Sequence, residues 1–202
     1  MKDWWNARYA EPEYAYGEAP NAFFAGRLGP PPRPGASRIL LPADGEGRNG
    51  VHAARLGWRV DAFDLSEEGQ AKALALAARH GVEIRYTLAS FETVELEEGA
   101  YDALALIFAH MHESVRQGVH QRLARALAPG GRLLLEAYAV EQLRYETGGP
   151  PSPAMLYSLE DARRDFAELE ILSLEQVEAE VVEGKYHTGL ASVIRLEARR
   201  PR

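Results

Sequence analysis

The chain has 202 residues, with 23 basic and 30 acidic side chains, a net charge of −7 at pH 7 and no cysteine. This length predicts a single domain spanning residues 1–202. The lack of cysteine excludes disulfides, thiolate nucleophiles and cysteine-based metal sites. Because the basic residues are scattered rather than gathered into a stripe, we expect no nucleic-acid partner. There is no secretory apolar segment and no bilayer-length apolar run, so we expect no membrane partner and a cytoplasmic location.

The first 28 residues are dense in aromatic side chains, which predicts short helices that pack over the rest of the molecule as a lid. These side chains are Trp4, Trp5, Tyr9, Tyr14, Tyr16, Phe23 and Phe24. The segment 29–35 contains four prolines, and proline both fixes φ and removes a hydrogen-bond donor. We therefore expect residues 1–36 to form a helical lid and a stiff connector, and residues 37–202 to form the core.

The core alternates between short apolar strands and helices. The pattern predicts strands at 38–42, 59–63, 83–87, 103–108 and 132–138, and helices at 49–56, 67–79 and 113–127. A short helix at 159–165 and a closing hairpin of strands at 168–182 and 186–199 follow. Short apolar strands connected by helices are typical of an α/β fold with a mostly parallel sheet.

A glycine loop follows the first strand. Gly45, Gly47 and Gly50 satisfy the pattern G-x-G-x-x-G, and Asp64 ends the second strand. A dinucleotide such as NAD and S-adenosylmethionine both fit this pattern, since both need a close backbone approach and a carboxylate for the ribose hydroxyls. A tight turn without a ligand is the third interpretation.

Two acidic residues, Asp44 and Glu46, lie in this loop. A carboxylate about 4 Å from a phosphate costs roughly 1 to 4 kcal/mol, whereas the same carboxylate stabilises an ammonium group by a similar amount. The acidic loop therefore favours the cationic S-adenosylmethionine over a pyrophosphate.

The segment from Ile39 to Gly47 resembles the first motif of class I S-adenosylmethionine-dependent methyltransferases, and the whole chain resembles their TehB-like (tellurite resistance) and thiopurine-methyltransferase-like branch. Leu41 stands where the family has an acid, and Ala43 stands where it has its first glycine. The resemblance implies a three-layer sandwich around a seven-stranded, mostly parallel Rossmann-like sheet. The implied strand order is 3-2-1-4-5-7-6, with strand 7 antiparallel.

The resemblance also implies roles for individual residues. Asp64 corresponds to the ribose-binding acid, Leu65 lies next to the adenine, and Phe108 falls where the cofactor and the acceptor meet. The implied cofactor-binding residues are Ala43, Asp44, Gly45, Gly47, Asn49, Asp64, Leu65, Ser90, Phe91 and Phe108.

The implied activity is methyl transfer to a small-molecule acceptor, namely a thiol, a metalloid oxyanion or an amine. A thiolate or an oxyanion needs no base, whereas a neutral amine needs one, and the candidates are His110, Tyr138 and His187. We expect no metal site, because the His110 and His112 pair has no third ligand in register. Two alternatives remain: a non-catalytic S-adenosylmethionine-binding domain, motivated by Leu41 and Ala43, and an NAD-dependent oxidoreductase.

Overall fold

The computed structural model describes residues 1–145 and 147–202. In chain order the elements are α1 (Lys2–Tyr9), α2 (Ala22–Arg27), β1 (Arg38–Pro42), α3 (Arg48–Arg55), β2 (Arg59–Asp64), α4 (Glu67–Arg79), β3 (Arg85–Leu88), β4 (Tyr101–Ile107), α5 (Glu113–Ala126), β5 (Leu127–Tyr138), α6 (Leu159–Asp165), β6 (Glu170–Glu183) and β7 (His187–Arg199). Two short 3₁₀ helices, Val140–Arg144 and Pro153–Met155, precede α6. Within the described ranges, no helix is long and apolar enough to cross a membrane.

The seven strands have the order β3-β2-β1-β4-β5-β7-β6. Strand β1 is parallel to β2, β2 is parallel to β3, and β4 is parallel to β5, whereas β7 runs antiparallel to β5. The predicted α/β fold, its strand order and its antiparallel seventh strand are confirmed.

The chain packs into two compact units. The first unit comprises residues 1–95 and 183–185, and the second comprises residues 96–182 and 186–202. Helices α1 to α4 and strands β1 to β3 belong to the first unit, and the remaining helices and strands belong to the second. The expected division after residue 36 therefore lies inside the first unit.

In the first unit, the register of β1 and β2 places the glycine loop beside Asp64. Both strands are largely buried, and Leu41 pairs with Ala62 while Pro42 pairs with Phe63. The two strands run parallel and end together, so the residues that follow β1 meet the last residue of β2 at one edge of the sheet. Helix α4 then begins at Glu67, and the Oγ of Ser66, its N-cap, accepts the Gly69 N–H at 3.0 Å.

Several strand boundaries differ from the predicted ones, including those of β3 and β5. Strand β3 spans Arg85–Leu88 rather than 83–87, because the backbone N–H of Val82 donates to the Ala77 carbonyl and holds the chain beside the end of helix α4. Strand β5 begins at Leu127, directly after α5, and its register against β4 shifts between Tyr101 and Ala103.

In the second unit, a network of buried polar side chains connects α5 to α6. The guanidinium of Arg116 donates to Asp165 Oδ2 and to the Leu156 carbonyl, each at 2.9 Å. His120 Nδ1 lies 3.1 Å from the same Asp165 oxygen, and its Nε2 lies 3.2 Å from the Tyr157 hydroxyl. Since all four side chains are almost fully buried, the charges compensate one another inside the unit.

Candidate functional site

The loop between β1 and α3 contains three residues in the left-handed conformation. Ala43, Gly45 and Gly47 have φ values of 53°, 54° and 85°. A β-carbon on Gly45 would lie 2.6 Å from the Tyr9 hydroxyl, and one on Gly47 would lie 2.5 Å from Cβ of Ala73. Because helices α1 and α4 approach the loop this closely, the two glycines are required by packing as well as by backbone conformation.

Asp64 contacts this loop directly. Its Oδ2 accepts the Gly45 N–H at 3.1 Å, and its Oδ1 accepts the Ser66 N–H at 3.1 Å. Burial raises the pKa of Asp64, while the hydrogen bonds from these backbone groups oppose that rise. A carboxylate has about four acceptor positions, and these backbone groups do not use all of them. Ribose binding by Asp64, which the resemblance implies, stays a prediction.

Asp44 caps the helix that follows the loop. Gly47, the N-cap of α3, has no side chain to offer, and Asp44 Oδ2 accepts the N–H of Gly50, the third helical residue, at 3.1 Å. Asp44 Oδ1 is buried and has no hydrogen-bond partner among the described residues. Burial raises the pKa of Asp44 to about 8, so this carboxyl is largely uncharged at neutral pH.

Glu46 is engaged with the N-terminal segment and α4. Its Oε1 lies 2.8 Å from Lys72 Nζ, and its Oε2 accepts the Ala15 N–H at 2.7 Å. The sequence predicts two negative charges in the loop, at Asp44 and Glu46. The structure corrects this prediction, since burial neutralises Asp44 and an ion pair with Lys72 compensates Glu46. The charge of the loop therefore does not by itself separate S-adenosylmethionine from a dinucleotide.

The start of α3 also holds the N-terminal segment. Asn49 Oδ1 accepts the backbone N–H of Asn21 at 3.0 Å, and Asn21 in turn caps α2 through the Phe24 N–H. Arg48 Nη2 lies 2.6 Å from Glu183 Oε2, and Asn21 Nδ2 donates to the other oxygen of Glu183. The sequence gives no local signal for Arg48 and Glu183, because their pairing depends on the packing of distant segments.

The residues expected beside the adenine follow β2 and β3. Leu65 is half-buried directly after Asp64, and the Phe91 ring stands edge-on to Phe63 with centroids 5.5 Å apart. The hydroxyl of Ser90 accepts the N–H groups of Glu92 and Thr93 and so closes a turn. Contact of Leu65, Ser90 and Phe91 with an adenine stays a prediction.

In the second unit, the remaining predicted residues form an aromatic cluster. Phe108 follows β4 with φ of 51°, and its ring centroid lies 4.6 Å from Tyr138 and 5.0 Å from His187. The ring of His110 stacks on Tyr138 at 5.6 Å. The three predicted catalytic candidates and Phe108 are thus brought together.

Both ring nitrogens of His110 are engaged by the backbone. Nδ1 lies 2.8 Å from the Met155 carbonyl and Nε2 accepts the Tyr138 N–H, which assigns the proton to Nδ1. Desolvation lowers the pKa of His110 to about 4. His110 could act as a base only by breaking its bond to Tyr138.

The neighbouring histidine caps a helix. His112 is the N-cap of α5, and its Nδ1 accepts the Ser114 N–H at 3.2 Å. Throughout ranges 1–145 and 147–202, no group of three or more histidine, aspartate or glutamate side chains is placed to hold a metal ion.

Part of the chain is similar to known methyltransferases. A family model described as a methyltransferase domain matches residues 39–131, which include the glycine loop, Asp64 and Phe108. The ubiquinone biosynthesis O-methyltransferase of Xanthomonas axonopodis pv. citri is 29% identical over 134 residues, which cover 65% of this chain and 54% of that protein. The chain thus spans about half the length of this curated relative.

Solved structures share the fold. The structure described for the conversion of a disulfide bond into a thioacetal group during echinomycin biosynthesis has a TM-score of 0.79 and 19% identity, covering 100% of this chain and 92% of that one. TehB from Haemophilus influenzae has a TM-score of 0.65 and 16% identity, covering 81% and 57%. Residues 39–131 are thus similar to a methyltransferase domain, and the chain shares its fold with these solved structures.

Proposed function

We propose that the protein transfers the methyl group of S-adenosylmethionine to a small-molecule acceptor. The observation that carries this proposal is the carboxyl of Asp64, 3.1 Å from the Gly45 N–H, at the edge of the sheet where β1 and β2 end. In α/β sheets, ligands bind at the carboxyl ends of the strands. The function involves no nucleic acid and no membrane.

In this proposal the cofactor supplies the reactive group and the chain supplies the binding contacts. S-adenosylmethionine supplies a methyl carbon that its sulfonium already activates. Asp64 would hold the ribose, the backbone from Ala43 to Gly47 would contact the nucleoside, and Leu65 would contact the adenine. The chain's task is therefore mainly to orient the two reactants and to exclude water.

The acceptor proposed here is nucleophilic without help from a base. The engagement of both His110 nitrogens by backbone groups supports this choice, because the first of the candidate bases is already occupied. Thiolates and metalloid oxyanions meet this requirement, whereas a neutral amine needs a base. We place thiols first, since an ordinary thiol ionises near pH 8.5 without assistance, and since one similar structure is described for chemistry at a disulfide. Membership of the TehB-like and thiopurine-methyltransferase-like branch is part of this proposal.

A second candidate function is S-adenosylmethionine binding without turnover. Leu41, which is 2% exposed in β1, stands where the family has an acid, and Ala43 stands in a left-handed conformation where the family has a glycine. Either departure would weaken the hold on the methionyl part of the cofactor.

Methyl-labelled S-adenosylmethionine separates the two functions. The protein is incubated with small thiols, metalloid oxyanions and amines, and labelled product is counted. We expect transfer to at least one thiol, and we expect Asp64→Ala to abolish it. Asp61→Ala, three residues earlier on the same strand, is the matched control and should retain it. Cofactor binding without labelled product from any acceptor would favour the second function.

A further inference from the structure

Tyr86, in the middle of β3, reaches the glycine loop. Its side chain is buried, and its hydroxyl donates to the Gly45 carbonyl oxygen at 2.6 Å. Strand β3 pairs with β2 so that Tyr86 lies beside Ala62, two residues before the pairing of Asp64 with Leu88. The tyrosine therefore approaches the loop from the strand next to the one that carries Asp64.

The two peptide groups that flank Gly45 are each held by one side chain. Asp64 accepts the N–H of Gly45, and Tyr86 donates to its carbonyl. Gly45 has φ of 54° and no side chain, so its own conformational preference does not fix either peptide. Hydrogen bonds from β2 and β3 therefore determine the shape of the loop at this residue.

We propose that Tyr86 is a positioning residue for the cofactor, because it holds the Gly45 carbonyl and so keeps the loop in the shape that places Gly45 against Asp64. This inference rests on the proposed function, in which Asp64 binds the ribose. Tyr86 makes no contact with the reacting atoms in this role. Its contribution is to order the loop before the cofactor arrives, which reduces the entropy lost on binding.

The hydroxyl of Tyr86 keeps its proton and so remains a hydrogen-bond donor. Burial, with smaller contributions from the carboxyls of Asp64 and Asp44, raises the pKa of Tyr86 well above its ordinary value. The group therefore stays protonated at neutral and mildly alkaline pH. Phenylalanine at this position would keep the packed ring and remove only the hydrogen bond.

The test compares Tyr86→Phe with Tyr14→Phe by isothermal titration with S-adenosylmethionine and with its demethylated product. Tyr14 also donates from its hydroxyl to a backbone carbonyl, that of Lys72, at 3.0 Å, so it is a matched control. We expect Tyr86→Phe to raise both dissociation constants by the same factor, about 3- to 10-fold. This factor corresponds to the net free energy of one hydrogen bond. Tyr14→Phe should leave both within about twofold.

A melting curve shows that each variant folds, and hydrogen exchange of the amides at 44–47 gives a second measurement. Exchange there should be faster in Tyr86→Phe than in the wild type. Unchanged dissociation constants in a folded Tyr86→Phe, or an equal rise in Tyr14→Phe, would overturn the inference. If the wild-type protein does not bind S-adenosylmethionine, the proposed function fails instead, and the two failures are therefore distinguishable.

Discussion

Arg48 and Glu183 are 135 residues apart in the chain, yet their side chains form an ion pair with Nη2 and Oε2 2.6 Å apart. Arg48 is the first residue of α3, directly after the glycine loop, and the turn that begins at Glu183 packs against the N-terminal segment. Lys185 N–H donates to the Ala15 carbonyl at 3.1 Å there. The ion pair therefore links three separate stretches of chain around the loop.

Breaking this ion pair should cost much of the protein's stability. Arg48→Met removes the guanidinium from beside the buried Glu183 carboxylate, and a loss of about 3 kcal/mol in the free energy of unfolding is expected. Urea denaturation measures it. Arg38→Met, which breaks the more exposed pair with Asp61, is the control and should cost less than about 1 kcal/mol. Similar losses in the two variants would contradict the assigned importance of the Arg48 pair.

Ala43→Gly should stabilise the protein. Ala43 has φ of 53°, a conformation that costs an L-residue about 1 to 2 kcal/mol and costs glycine almost nothing. After the entropy that glycine adds to the unfolded chain, a net gain of about 0.5 kcal/mol is expected. Thermal melting measures the gain. Ala75→Gly, on the exposed side of α4, is the control, and it should lower the free energy of unfolding by about 1 kcal/mol because the residue it replaces is in a regular helix. A destabilised Ala43→Gly would mean that the Ala43 methyl group makes contacts that outweigh the strain.

The carboxyl of Asp44 should make stability fall as pH rises. Its pKa is about 8 in the folded protein and about 4 in the unfolded chain. Between these values the folded state binds more protons, so the free energy of unfolding decreases as pH increases from about 4 to about 8. Asp44→Asn removes this titration, and its stability relative to the wild type should therefore improve from about pH 5 to about pH 9. Parallel stability curves would show that Asp44 does not titrate in this range.

His110 should remain neutral over the working pH range. Its folded pKa of about 4 lies below the ordinary histidine value, so the stability it contributes is present above pH 6.5 and is lost as pH falls towards 4. Nuclear magnetic resonance of the ring, assigned by comparison with His110→Gln, should show no titration between about pH 5 and pH 8. A titration midpoint above about pH 6 would restore His110 as a candidate base.

Local patterns predicted the framework of the site. The strand from Arg38 to Pro42 and the helix from Glu67 to Arg79 have the bounds that their apolar and capping residues indicate. The placement of Asp64 beside the glycine loop follows from the parallel pairing of two consecutive strands, which a βαβ pattern predicts.

Long-range partners were not predictable. Glu46 is paired with Lys72 in α4, and Arg48 is paired with Glu183 at the end of β6. Nothing in the sequence around Glu46 or Arg48 indicates the partner. The hydrogen bond of Tyr86 was not predictable either. An apolar pattern indicates only that Tyr86 is buried, whereas its hydrogen bond to Gly45 depends on the register of β3 against β2. The charge state of a buried group depends on such tertiary contacts.

A thermal-shift measurement with S-adenosylmethionine, its demethylated product and NAD tests the central claim most directly. At about one hundred times the dissociation constant, a ligand that binds only the folded state stabilises it by roughly 2.7 kcal/mol. We expect both sulfur nucleosides to raise the melting temperature, NAD to leave it unchanged, and Asp64→Ala, but not Asp61→Ala, to remove most of the shift. A shift with NAD alone, or a full shift with Asp64→Ala, would contradict the account.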